Sequence, residues 1–187
     1  MIICFMERMN RQHGATPGPA YRAGNVSAMA ALVLAGLSAG FFYTWSVTVM
    51  NGFDAADPHV AIKAMQAVNA HIRNAWFGAV FFGAPTSILV AALMLAVSGR
   101  RKAALLAGAG FILATVVVTI TFTLHVPWNE ALAAAAIPPE RDAAAAMWQD
   151  YSAKWTAWNH ARAAAGILAF GCMALALKSI SEPTSQA

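Results

Sequence analysis

Charge is what this sequence has least of. Asp, Glu, Lys and Arg make up 11% of its 187 residues, while apolar types make up 59%. A soluble domain carries about 25% charged residues. The shortage argues against a soluble enzyme, an acidic or disordered module and a nucleic-acid binder. The formal charge of +4 does not restore the last of these, because the basic residues flank apolar runs instead of forming a face. Cysteine is nearly absent too. Cys4 and Cys172 stand far apart and no C-x-x-C occurs, so dithiol redox chemistry and thiolate zinc sites lack their parts. No Asp or Glu lies inside an apolar run, which removes a carboxylate di-iron bundle. A P-loop, a Gly-rich dinucleotide fingerprint and a nucleophile elbow are also missing.

Long apolar runs are what the chain does have. They cover residues 26–50, 75–97, 103–124 and 161–177, and about 20 apolar residues span a bilayer as a helix. The fourth run is slightly short. The amphipathic stretch 143–160 before it contains no Pro or Gly, so one continuous helix is expected there. A more polar stretch, 59–74, precedes the second run. The first run is too long for a secretory h-region and lacks a small-x-small exit, so it reads as a retained helix. Residues 1–25 read as a disordered tail, with Met1, Met6 and Met9 as alternative starts, and 179–187 as a second tail. The expectation is an all-α, integral membrane four-helix bundle over 26–178, with amphipathic extensions at 59–74 and 143–160.

Basic residues orient such a bundle. Arg8, Arg11 and Arg22 precede the first run, Arg100, Arg101 and Lys102 fill the turn between the second and third, and Lys178 follows the fourth. All fall on one side of a four-span protein. Both termini are therefore expected in the cytoplasm, with the extensions outside, as in a multi-pass protein of the bacterial inner-membrane type surrounded by lipid.

Polar side chains inside a bilayer turn toward other helices or a cavity. At 100° per residue, Trp148, Tyr151, Trp155, Trp158, Asn159 and Arg162 share a face that Gly166 continues. Gln66, Asn69, Arg73 and Trp76 share one, as do Gly36, Gly40, Tyr43, Thr44, Val47 and Asn51. Thr115, Thr119, Phe122 and His125 form a fourth, after which Pro127 is expected to interrupt the helix, with Trp128 and Asn129 following. Turned inward together, the stripes line one outward-opening amphipathic cavity. An interfacial belt is the competing reading of the tryptophans. Arg162 has no carboxylate at its own depth. It must reach Asp150, Glu130 or Asp54 at the rim, bond carbonyls and Asn side chains, or face a ligand oxygen through its fork.

The chemistry that fits is proton abstraction from an aromatic or enolic lipophile, then reaction of the carbanion with dioxygen. His125 is the candidate base. Asn129 and Asn159 would orient a substrate oxygen, and Arg162 would stabilise negative charge. Asn51, Gln66, Asn69, Arg73, Trp128, Trp155 and Trp158 are candidate substrate contacts, with Trp155 and Trp158 stacking on rings. No redox cofactor or metal is expected. The alternatives are a non-enzymatic protein that binds lipid, quinone or a partner helix, and a haem or copper protein using His71, His125 and His160.

Three blocks carry a resemblance: Met65-Gln66-x-x-Asn69, Val126-Pro127-Trp128-Asn129, and Trp155-x-x-Trp158-Asn159-His160-x-Arg162. Together, over residues 26–178, they resemble the anthrone oxygenase-like membrane family. The resemblance implies a four-helix membrane protein, and some fungal relatives are assigned to oxidising anthrones to anthraquinones. Carried over by position, it points to Gln66, Asn69, Asn129, Trp158, Asn159 and Arg162. The family run usually reads Asn-Val-Pro where this chain has His125-Val126-Pro127, so a base role for His125 comes from its chemistry and not from the resemblance.

Overall fold

The computed structural model describes residues 19–181. Most of the stretch expected as a disordered tail lies outside the described residues, but from Pro19 onward the chain is already helical. Helix α1 (Pro19–Thr44), a π-helical turn (Trp45–Val49) and α2 (Met50–Asp54) make one rod. The short amphipathic α3 (Pro58–His71) leads to the second rod, α4 (Ala75–Val97). Helix α5 (Arg101–Ile120), a second π-helical turn (Thr121–His125) and α6 (Val126–Ala134) make the third. The fourth, α7 (Arg141–Ser181), is unbroken over 41 residues, as the absence of Pro and Gly at its start predicts. No strand occurs among the described residues. All four rods are long and apolar enough to cross a membrane, the make-up of an integral membrane protein.

The rods pack up and down, with α1 against α4 and α7, and α5 against α4 and α7. At 1.5 Å per residue α7 is about 60 Å long, roughly twice a hydrocarbon core. Its first half therefore projects, and α2, α3 and α6 pack around it. Met50, Ile62, Met65 and Leu132 close there on Trp148, Tyr151 and Trp155. At the other end lie the start of α1, the α4–α5 turn and the end of α7. That turn uses Gly99 at φ +75°, a left-handed conformation that side chains disfavour. Arg100 ties the turn to α1 by donating to Asn25 Oδ1 at 2.7 Å.

Three local features differ from the helical-wheel expectation. First, 59–97 is not one rod. The Asn74 side chain accepts from the Phe77 amide at 3.0 Å and starts α4 afresh, a helix cap. Trp76 is thereby turned away from the Gln66–Asn69–Arg73 stripe and is 86% exposed. Second, Pro127 does not interrupt the third rod. A proline removes one amide and crowds the carbonyl four residues back. The π turn just before Pro127, where the Val126 amide reaches Thr121 O, accommodates it by widening the helix.

Third, the inward faces of the first and third rods are not the polar ones. Tyr43, Thr44, Val47 and Asn51 are exposed, and so are Thr115 and Thr119. Thr44 and Asn51 donate to the carbonyls of Gly40 and Val47, and Thr115 and Thr119 to those of Phe111 and Thr115. A side chain satisfied on its own helix needs no neighbour. Gly40 likewise faces open space, so Gly36 and Gly40 do not form a small-residue seam. Phe42, Trp45, Ser46 and Met50 are buried instead. Each π turn holds an extra residue, so it rotates everything beyond it relative to a uniform wheel. That rotation parts His125, which is buried, from the exposed threonines.

Candidate functional site

The two π turns face α7 at the same level, and α7 sends Asn159 and Arg162 between them. Asn159 is fully buried. Its Nδ2 donates to Phe42 O at 3.0 Å and Ser46 Oγ at 2.8 Å, both on the first rod. Its Oδ1 accepts twice from Arg162, from Nε at 3.2 Å and Nη2 at 2.7 Å. Arg162 Nη1 donates to Thr121 Oγ1 at 3.0 Å, where the second π turn begins. The guanidinium lies over the Phe42 ring, 4.1 Å from its centroid, and 5.5 Å from that of Trp155.

Arg162 is only 5% exposed, yet no carboxylate meets it. Each rim candidate is engaged elsewhere. Glu130 accepts from Arg73 at 2.9 Å, Asp150 from Lys154 at 2.7 Å, and Asp54 from Trp148 Nε1 at 2.8 Å and Ser152 Oγ at 2.7 Å. Three of the five guanidinium N–H groups are used; the others have no partner among the described residues. A buried cation without a counter-charge is costly unless it is hydrogen-bonded and paired.

A cavity of about 540 Å³ lies beside it, within the span of small-molecule sites. Its walls are aromatic: Phe41, Phe42, Trp45, Phe77, Phe81, Phe82, Phe122 and Trp155. Its polar lining is Asn69, Arg73, Asn74, Thr121, His125, Asn129, Glu130 and Arg162. The exposed Arg73–Glu130 pair stands at the polar rim. Asn129 Oδ1 is filled by Tyr151 Oη at 2.7 Å and Trp155 Nε1 at 3.0 Å. Its Nδ2 has no partner among the described residues. Asn69 Nδ2 is shut off from solvent without a hydrogen-bond partner, a condition native proteins seldom leave unexplained.

His125 is buried against Trp155, with ring centroids 4.9 Å apart and edge to face. Both ring nitrogens look at carbonyl oxygens: Nε2 at Trp155 O, 3.2 Å, and Nδ1 at Ile120 O, 3.4 Å. A neutral imidazole donates from one nitrogen only. With the proton on Nε2 donated to Trp155 O, the Nδ1 lone pair is left at the Ile120 carbonyl, at the end of α5.

The cavity thus unites Asn69, Arg73, His125, Asn129, Trp155 and Arg162. Gln66 lies behind it, donating to Leu132 O at 2.8 Å and joining α3 to α6. Asn159 is behind Arg162 with every donor and acceptor spent. Asn51 is exposed on its own helix. Trp128 packs on His125 from the far side, ring centroids 5.8 Å apart, and does not line the cavity. Trp158 is 45% exposed and outside the cavity. Of the six tryptophans, Trp45, Trp148 and Trp155 are core residues, so a belt does not account for them. The aromatic wall from α1 and α4 was missed, since phenylalanines in an apolar run carry no distinguishing signal. Tyr151 was on the α7 stripe but was not singled out. His71 and His160 are exposed, and no group of three His, Cys, Asp or Glu is placed to hold a metal among the described residues.

A family profile described as anthrone oxygenase matches residues 73–172. The chain belongs to the anthrone oxygenase family. The matched region runs from Arg73 through α4, α5 and α6 into the membrane half of α7, and so contains His125, Asn129, Trp155, Asn159 and Arg162. Asn51, Gln66 and Asn69 precede it. No curated protein and no solved structure matches the chain. Anthrone oxygenase membership fits a helical membrane bundle around an aromatic-walled cavity.

Proposed function

We propose that the cavity takes a lipophilic aromatic ketone of the anthrone type and oxygenates it with dioxygen. One observation carries this reading: Arg162, buried and unopposed by any carboxylate, sits on the edge of an aromatic cavity of ring-system size. The bound ketone oxygen accepts from the free Arg162 N–H groups, and Trp155 and the phenylalanines cover the rings. The His125 ring turns its unprotonated nitrogen from the backbone carbonyl into the cavity, takes a proton from the ring carbon opposite the ketone, and swings back. The electron pair of that C–H bond moves to the ketone oxygen, where the guanidinium meets the developing charge in a dry site. The protonated His125 then donates from both nitrogens, to Trp155 O and Ile120 O. The ring carbon adds dioxygen, the peroxide recovers the proton from His125, and loss of water leaves a second ketone. The sum is anthrone plus dioxygen giving anthraquinone plus water. The substrate supplies the electrons and dioxygen accepts them, so the scheme asks for no redox cofactor.

Asn129 offers a further N–H group to an oxygen elsewhere on the rings. In this reading the site end faces out and both termini face the cytoplasm, with the basic residues of the α4–α5 turn inside. The test is oxygen uptake by detergent-purified protein supplied with a hydroxylated anthrone. One dioxygen consumed per quinone formed, with Arg162→Met at the uncatalysed rate, supports the reading. Equal rates with wild type and Arg162→Met overturn it, and tight binding without uptake favours a non-enzymatic carrier of aromatic ligands.

A further inference from the structure

We propose that ligand reaches the cavity sideways from the bilayer, through a second binding subsite between α1 and α4. This rests on the aromatic-ligand reading above and adds the route. A second cavity of about 370 Å³ lies between these helices. It is the main cavity's neighbour across one wall, because Phe41, Phe42, Phe77 and Phe81, with Ile72 and Asn74 at the wall's end, line both. Its outer rim is Leu37, Trp76 and Val80, which do not line the main cavity. Leu37 and Trp76 are exposed on rods that read as membrane-spanning, so this rim meets lipid.

Most of the wall is rings. Phe41 and Phe77 approach across the helix gap at 5.3 Å between centroids, tilted by 53°, and Phe77 stacks on Phe81 at 5.3 Å. Side-chain rotation opens such a wall without moving a helix. A flat polycyclic solute can exchange one ring face for another as it passes. It then arrives at Phe42, the ring that carries the Arg162 guanidinium. The alternative opening is at the Arg73–Glu130 pair. A solute that partitions into lipid would have to leave the bilayer and pass between two hydrated charges to use it. The occupant of the subsite is accordingly the hydrocarbon ring system of the same ligand, held before it crosses the wall.

The experiment uses the full chain in nanodiscs and 1,8-dihydroxyanthraquinone as the probe. Stopped-flow quenching of tryptophan fluorescence reports arrival beside Trp45 and Trp155. Val80→Phe and Leu37→Phe fill the subsite from opposite helices without entering the main cavity. Each is expected to slow association and dissociation together by on the order of tenfold, leaving the equilibrium constant within about twofold. Unchanged rates in both variants overturn the lateral route while leaving the ligand reading intact. So does a change confined to dissociation, which places the residues off the path. Absence of quenching in the wild type overturns the ligand reading and the route with it.

Discussion

The two ends of the bundle are built from the same four rods and packed on opposite principles. At the terminal end the rods meet through alanine: Ala28, Ala31, Ala35, Ala91, Ala103, Ala107, Ala169 and Ala176 are all buried. Between that end and the aromatic layer, a void lined by Ala35, Ala84, Ala114 and Ala169 holds only about 10 Å³. Small residues let helix backbones close up, and dispersion plus close packing holds them in lipid. At the site end phenylalanine, tryptophan and two π turns replace alanine, and the space left is about 540 Å³. The lesson is a division of labour along one helix. The tight end fixes the rods, so that the loose end keeps a cavity that the apolar effect alone would collapse.

The comparison breaks most sharply at Trp155, which touches the cavity, His125, Asn129 and Arg162 at once. Trp155→Ala is expected to cost about 3–5 kcal/mol, read as a lowered midpoint in detergent unfolding together with lost probe binding. Asn159→Leu comes next. It strands Ser46 and the Phe42 carbonyl and removes two of the three Arg162 hydrogen bonds, so a loss of about 1–3 kcal/mol is expected, with weakened ligand retention as a consequence. Retained stability with lost binding would instead make Asn159 a ligand contact. At the tight end, Ala91→Leu overpacks the alanine core, where Ala91 is fully buried, and is expected to cost about 1–3 kcal/mol. Probe affinity should stay unchanged, which equilibrium titration decides.

Smaller effects sharpen the contrast. Trp158→Ala is expected to change stability by less than about 1 kcal/mol and to leave binding alone, because the ring is half outside. Its contrast with Trp155→Ala, measured in parallel, separates the wall from the periphery. The smallest effect is at Asp57, which caps α3. Partial burial pushes its carboxyl up, but the His59 amide, Arg141 and the His59 side chain outweigh this and hold it below the usual carboxylate range. A depressed folded value means its stabilisation is present above the unfolded value, about 3.9, and is lost as pH falls through the folded one. Asp57→Asn should therefore lose this acid-side dependence. Parallel unfolding midpoints of wild type and variant below pH 5 check it.

Much of the arrangement was legible in the residues. Trp148, Tyr151, Trp155, Trp158, Asn159 and Arg162 were placed on one face of α7, and all but Trp158 are buried, because that helix is uniform over its whole length. The first and third rods were misread at Tyr43, Thr44, Asn51, Thr115 and Thr119. A wheel of constant pitch cannot register a π turn, and a threonine bonded to its own helix looks the same in sequence as one bonded across. Arg162 was expected to face a rim acid, a carbonyl or Asn neighbour, or a ligand. Its choice of Asn159 and Thr121 depends on which helix stands opposite.

Apolar run lengths and the scarcity of charge determined, from the sequence alone, that four helices of this chain suit a membrane, since backbone satisfaction in lipid permits little else. The polar face of α7 was determined by spacing. What only the tertiary structure decided is the cavity and the residues around it. Its walls are phenylalanines indistinguishable from other apolar residues by type. Of the acids that could have met its charge, Asp150 is taken by Lys154 one turn along its own helix, but Asp54 and Glu130 are bound by partners far away in the chain, and pairing at a distance is a property of packing.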